Sequence, residues 1–156
     1  MKQLILLLFL TLTLNAQDNK IAITQSPGSY EDGWSFGLQY EHQSGIVYYG
    51  AEIYAFPNLH DMPYYHLIGR FGFKHEFELL IPMRIFAGVR GGLINREGSF
   101  GYALMGLGSG IDFFIPKTPF FFGLSIAIDE KTDSKRWGNE DSHTVNSGFF
   151  RIGIIF

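Results

Sequence analysis

Apolar and polar residues alternate along most of this chain in blocks of seven to ten. Trp34, Phe36, Leu38 and Tyr40 alternate with Ser35, Gly37, Gln39 and Glu41. Val47, Tyr49, Ala51 and Ile53 alternate with Tyr48, Gly50, Glu52 and Tyr54, and Tyr65, Leu67, Gly69, Phe71 and Phe73 with His66, Ile68, Arg70, Gly72 and Lys74. A period of two puts each set on its own face of a β-strand. The same pattern sets Ile85, Ala87, Val89 and Leu93 against Arg84, Gly88 and Arg90. It recurs in Phe120, Phe122, Leu124, Ile126 and Ile128, and again in Phe150, Ile152, Ile154 and Phe156, which oppose Arg151 and Gly153. With Lys20–Ser26 and Phe100–Ile115, eight strands are predicted, each bounded by turn-forming residues. Glu76–Pro82 is the least turn-like boundary, because Phe77 and Leu79-Leu80-Ile81 are apolar.

The alternation does not say which face meets solvent; composition does. Only 17% of the residues are charged, and 17% are aromatic, with 16 phenylalanines and 19 glycines. Eight of the charges crowd into Asp129–Asp141, so the strands are poor in them. A soluble domain wants roughly 25–35% charge over its surface. After Leu14 no apolar run is long enough for a membrane helix, and the remaining way to cross a bilayer is a closed barrel. The predicted fold is all-β: an antiparallel up-and-down transmembrane β-barrel of eight strands. The connections then sort by length. Gln43-Ser44-Gly45 and Pro116–Pro119 are short and fall on the periplasmic side, whereas Pro27–Gly33, Pro57–Pro63 and Glu130–His143 fall outside the cell. Trp34, Phe56, Tyr64 and Tyr65 are expected as an outer aromatic rim, with Phe113, Phe114, Phe120 and Phe156 as the inner one. A soluble lipocalin-like ligand carrier is the alternative, although the lipocalin Gly-x-Trp is missing, Gly33 standing directly before Trp34.

Met1-Lys2, the apolar run Leu4–Leu14 and the small residues Asn15-Ala16-Gln17 predict a cleaved secretory signal peptide over residues 1–17, leaving 18–156 as the barrel domain. The Ala-Gln junction resembles signal ends of the Bacteroidota. With no cysteine, neither a lipoprotein nor a disulfide framework is available. The stripe Phe150, Ile152, Ile154 and Phe156 resembles the C-terminal insertion signal of bacterial outer-membrane β-barrels, departing from it where Arg151 replaces a Gly. That resemblance implies a Gram-negative outer-membrane location, the lipid bilayer as surroundings, and the barrel-assembly machinery as a partner during biogenesis.

If the apolar stripes face lipid, Glu41, Glu52, Arg70, Lys74, Arg84, Arg90 and Arg151 point into the lumen. Charges in such a low-dielectric space must be paired. Acids on the second and third strands would lie near bases on the fourth and fifth. The expected role is a structural plug rather than an ion path, since eight strands leave room only for side chains. Gly106, Gly108 and Gly110 are expected to make room for the arginines opposite. Their Gly-Leu-Gly-Ser-Gly run is no dinucleotide loop, because Ile111–Ile115 and Pro116 follow where a helix is needed.

The five histidines show no metal-ligand spacing, and no cofactor is expected. A net charge of −3 offers no basic patch for nucleic acid. Asp141-Ser142-His143 holds the residue types of a hydrolase triad without its spacing. The compact His-x-Ser-Asn run of lipid A deacylases is not reproduced by His143–Ser147. A lipid-modifying enzyme thus stays an alternative, and the chain leans toward a non-enzymatic barrel with a structural, adhesion or partner-binding role at the cell surface. The loop Asp129–His143 carries Lys135, Arg136 and Trp137, and an aromatic beside two cations is the expected anchor for an extracellular protein or glycan.

Overall fold

A computed structural model describes residues 19–29, 33–57, 64–96, 98–132 and 143–156. Eight strands run in chain order: β1 Asn19–Ser29, β2 Gly33–Ser44, β3 Val47–Ala55, β4 Tyr64–Phe77, β5 Met83–Arg96, β6 Ser99–Phe114, β7 Phe120–Lys131 and β8 His143–Ile155. Each pairs antiparallel with its sequence neighbour, and β1 pairs with β8 to close the barrel. Two backbone bonds between Asn19 and Phe156 finish the seam: Asn19 N–H to Phe156 O at 3.2 Å and Phe156 N–H to Asn19 O at 2.9 Å.

The eight strands and the up-and-down closure read from the alternation are those of the structure. Strand ends differ by a few residues. β4 continues to Phe77, because Lys74 to Phe77 pair with β5 from Phe86 down to Met83. The apolar stretch is therefore part strand and part turn, and only 78–82 lies outside the ladder. β5 likewise runs on through Asn95 and Arg96, beyond Leu93 where the sequence alternation ends. At the tight β2–β3 hairpin, Ser44 faces Val47 across Gly45 and Ile46. Gly45 takes φ +58, a conformation that glycine adopts without steric cost.

The register fixes the barrel's dimensions. A walk across the ladder from Ile155 passes Lys20, Glu41, Gly50, Arg70, Arg90, Gly106 and Asp129, and returns to β8 at Val145. That ten-residue stagger over eight strands sets a strand tilt of roughly 40° and a backbone radius of roughly 8 Å. The described ends of the chain and the 45–46, 78–82 and 115–119 turns share one end, the terminal mouth; the opposite ends of the strands define the far mouth.

The two faces of this sheet are inverted relative to a water-soluble barrel. The outward residues are Ile23 on β1, Leu38 on β2, Ile53 on β3, Leu67 on β4, Val89 on β5, Leu107 on β6, Ile126 on β7 and Ile152 on β8, all exposed. Lys20, Glu41, Glu52, Arg70, Arg84, Arg90, Asp112, Asp129 and Arg151 are buried.

Candidate functional site

The inner face is the chemically distinctive part of the molecule, and alternation builds it. Arg84, Phe86, Gly88 and Arg90 share the inward parity of β5, as do Arg70 and Gly72 on β4. Toward the terminal mouth, Asp112 is the hub. It accepts from Arg84 Nε at 2.9 Å, pairs with Lys20 Nζ at 3.5 Å, and accepts from Arg151 as well. Arg84 also donates to both oxygens of Glu41, with Nη2 3.4 Å from Oε2. Arg151 reaches Gln39 Oε1 at 3.2 Å, and Gln39 donates to Glu41 Oε2 at 3.4 Å.

A second tier lies farther along the axis. Arg70 Nη1 stands 2.8 Å from Glu52 Oε1 and 4.0 Å from Glu41, tying the two tiers together. Arg90 bridges Glu52 at 3.4 Å and Asp129 at 3.2 Å. Six of the seven charges picked out by alternation, Glu41, Glu52, Arg70, Arg84, Arg90 and Arg151, thus meet in one network, whereas Lys74 pairs with Glu76 at the terminal mouth. Asp112, Asp129 and Lys20 belong to it too and were not singled out. Asp112 shares its parity with Gly106, Gly108 and Gly110, and that parity was the available signal.

Aromatic rings fill the space between the charges. Phe86 carries three guanidiniums, Arg151 at 4.4 Å, Arg84 at 4.9 Å and Arg70 at 5.3 Å from its centroid. The small residues across the sheet make this possible. A Cβ on Gly110, the cross-strand partner of Phe86, would lie 2.5 Å from that ring. One on Gly88 would lie 2.7 Å from the Tyr48 hydroxyl. The expectation that the β6 glycines clear space for arginines is corrected here: only Gly108 faces one, at an ordinary 3.6 Å from Arg90, while Gly110 accommodates Phe86 and Gly106 sits against Asp129.

A second correction concerns the rim. Phe56 and Tyr64 are buried inside the far mouth rather than turned outward. Tyr64 has the parity of His66 and Ile68, so its ring must point inward. Phe56, Tyr64 and His66 pack together with ring centroids 4.6–5.0 Å apart. Beneath them Ile68, Ile94, Leu104 and Ala127 form an apolar cluster with Tyr54 and Phe149. Trp34 and Tyr65 do face outward at this end. At the terminal mouth Phe113 and Phe122 stack at 5.3 Å, while Phe114 turns toward the lumen, with Lys20 4.5 Å above its ring.

Eight antiparallel strands closed this way have a solved counterpart. The N-terminal β-barrel domain of Pseudomonas aeruginosa OprF matches with a TM-score of 0.58 at 10% identity, covering 91% of this chain and 100% of that one. Neisserial surface protein A matches at 14% identity with a TM-score of 0.47, covering 89% of this chain and 95% of its own. At such identities the OprF similarity is one of fold. No protein-family model matches the sequence, and no curated protein does.

The remaining sequence-based candidates divide in two. Phe150, Ile152 and Ile154 form the outward stripe of β8 and pair with Gln25, Ile23 and Ile21 of β1. Residues 1–17 and the loop trio Lys135, Arg136 and Trp137 lie outside the described residues. Among the described residues no group of His, Asp and Glu is arranged to hold a metal ion.

Proposed function

We propose that the chain is a non-enzymatic integral outer-membrane β-barrel, sealed through its middle, whose far-side loops carry a structural, adhesion or partner-binding role. The observation that carries this reading is the inversion of its faces. Every strand exposes large apolar side chains around the whole circumference, including Met105 at 75%. A soluble monomer rarely exposes a contiguous apolar patch beyond a few hundred Å². The stripe Phe120–Ile128 spans roughly 20 Å along the barrel axis, close to the apolar band of about 25 Å in outer-membrane barrels. The similarity to the OprF barrel domain in fold supports the same reading.

Ion pairs and rings occupy the lumen, which supports a plug rather than a channel. We place the far mouth outside the cell and the terminal mouth in the periplasm. On this reading the loop with Lys135, Arg136 and Trp137 is the surface offered to an extracellular protein or glycan, and Phe150, Ile152, Ile154 and Phe156 are what the assembly machinery engages.

Expression in a Gram-negative host tests the proposal. The protein is expected in the outer-membrane fraction, with an apparent mass on gels that changes on boiling, and to give no stable conductance steps in planar bilayers. Recovery as soluble periplasmic protein refutes the membrane assignment. Porin-like steps refute the sealed lumen.

A further inference from the structure

The 78–82 turn at the terminal mouth is apolar and reaches past its neighbours. β4 and β5 pair over Lys74–Phe77 and Met83–Phe86, beyond Val47 and Phe73, the last rung that β3 shares with β4. With a strand tilt of roughly 40°, the register sets Phe77 roughly 4–5 Å farther along the axis than Ser44 of β2 or Ile155 of β8. The turn continues outward from there. It is held on both flanks: Lys74 N–H donates to Ile46 O at 2.8 Å, and Phe114 N–H to Pro82 O at 2.9 Å.

Its two sides differ in chemistry. Lys74, Glu76 and Glu78 alternate in sequence with Phe73, His75, Phe77 and Leu79. Lys74 and Glu76 line the vestibule of the mouth, and none of Phe77, Leu79, Leu80 and Ile81 does. These four are exposed, Leu80 to 97%, and so is Ile46 of the adjoining β2–β3 turn. A hairpin standing in water would present its charges outward. Here the order of the barrel wall, charge inside and apolar side chains outside, continues past the ends of the other strands.

Continuity with that wall selects the occupant. Phe71 and Phe73, with centroids 6.2 Å apart, belong to the outward stripe of β4, which runs on to His75 and Phe77 at 4.6 Å. The apolar tip is thus the lower edge of the band, whereas a protein-binding patch is ringed by a polar rim. A headgroup layer adds roughly 5–7 Å on each side of the hydrocarbon, which matches the reach of the turn. Apolar side chains of surface-lying segments bury about 5–10 Å into that boundary.

We propose that the β4–β5 turn is an interfacial anchor, with Leu79, Leu80 and Ile81, flanked by Ile46, inserted among phospholipids at the headgroup–acyl boundary of the periplasmic leaflet. This rests on the outer-membrane reading and adds to it a lipid contact below the strand ends, on one side of the barrel. The contact fixes the depth at which that side sits.

A fluorophore on single cysteines of the full-length protein tests it, in phosphatidylcholine vesicles whose chains carry bromine near the headgroup or deep in the hydrocarbon. Leu80→Cys is compared with Val89→Cys, exposed at mid-strand on β5, and with Lys117→Cys on the neighbouring turn. With iodide on both sides of the membrane, the Leu80 label is expected to be quenched severalfold less by iodide than the Lys117 label. Shallow bromine should quench it more than deep bromine, and the Val89 label the reverse. Leu80 has no packing to lose, and Leu79→Cys repeats the measurement at a second position. If iodide quenches Leu80 as freely as Lys117 while bromine still quenches Val89, the turn stands in water and the anchor is refuted with the membrane assignment intact. Protection from iodide without quenching by bromine means that protein, such as a second copy, covers the turn, and this also overturns the proposal. Loss of bromine quenching at Val89 refutes the membrane assignment itself, and the anchor with it.

Discussion

Arg84 and Ile85 are adjacent in the chain, yet one is wholly buried against Glu41 and Asp112 while the other is 43% exposed. The same contrast repeats on every strand: the inner face gathers charge, aromatic rings and glycine, and the outer face is aliphatic and aromatic. Inside, the ionised groups of the two tiers are held by named partners, so removing one strands the others. Outside, no residue depends on a particular neighbour, and the stripe works collectively through its apolarity. The inner face is specific and the outer face generic, and the two respond differently to substitution.

The largest effect is expected from Asp112→Ala. It leaves Lys20, Arg84 and Arg151 without their shared anion. Removing one partner of a buried pair costs about 3–5 kcal/mol, and here three cations share the loss. Urea unfolding of protein refolded into lipid vesicles measures it, and a loss below about 1 kcal/mol would mean that water reaches this tier. Next comes the converse experiment, a charge carried to the outer face. Leu107→Arg is expected to cost about 2–4 kcal/mol in vesicles, as for an arginine at the bilayer midplane. The same substitution on a water-facing surface would be close to neutral.

Inner-face packing ranks third. Gly110→Ala drives a Cβ against the Phe86 ring and is expected to cost about 1–3 kcal/mol by overpacking. Gly148→Ala, on the outer face with nothing within 4 Å of its Cβ, serves as the matched control and should change little. The smallest effect belongs to the terminal mouth. Lys74 pairs with Glu76 at 2.6 Å, but Glu76 is half exposed. Lys74→Ala should therefore cost less than about 1 kcal/mol and lose even that in high salt.

Much of this contrast was legible in the sequence because a strand's parity is rigid. Once Arg84 was set opposite Ile85, Arg90 had to share the face of Arg84. Parity also held the answer where aromatic composition misled. Phe56 and Tyr64 read as rim residues from their position at strand ends, yet Tyr64 is two residues from His66 and so turns inward. Asp112 was hidden by its surroundings: the run Ile111–Ile115 is nearly all apolar, and the alternation fades there. That acids of β2 and β3 meet bases of β4 and β5 was expected, and Glu41 and Glu52 do pair with Arg70, Arg84 and Arg90; the individual pairings were not legible, because they depend on the ten-residue stagger. Strand lengths were underestimated where two neighbours, β4 and β5, support each other beyond the reach of β3.

The central claim is that the outer face lies in lipid, and a spin label reports on it directly. The chain has no cysteine, so Leu107→Cys offers a single labelling site at mid-strand. In lipid vesicles the label is expected to collide readily with apolar oxygen and to be shielded from a water-soluble nickel chelate. Free collision with the chelate and little with oxygen would put this face in water and contradict the account.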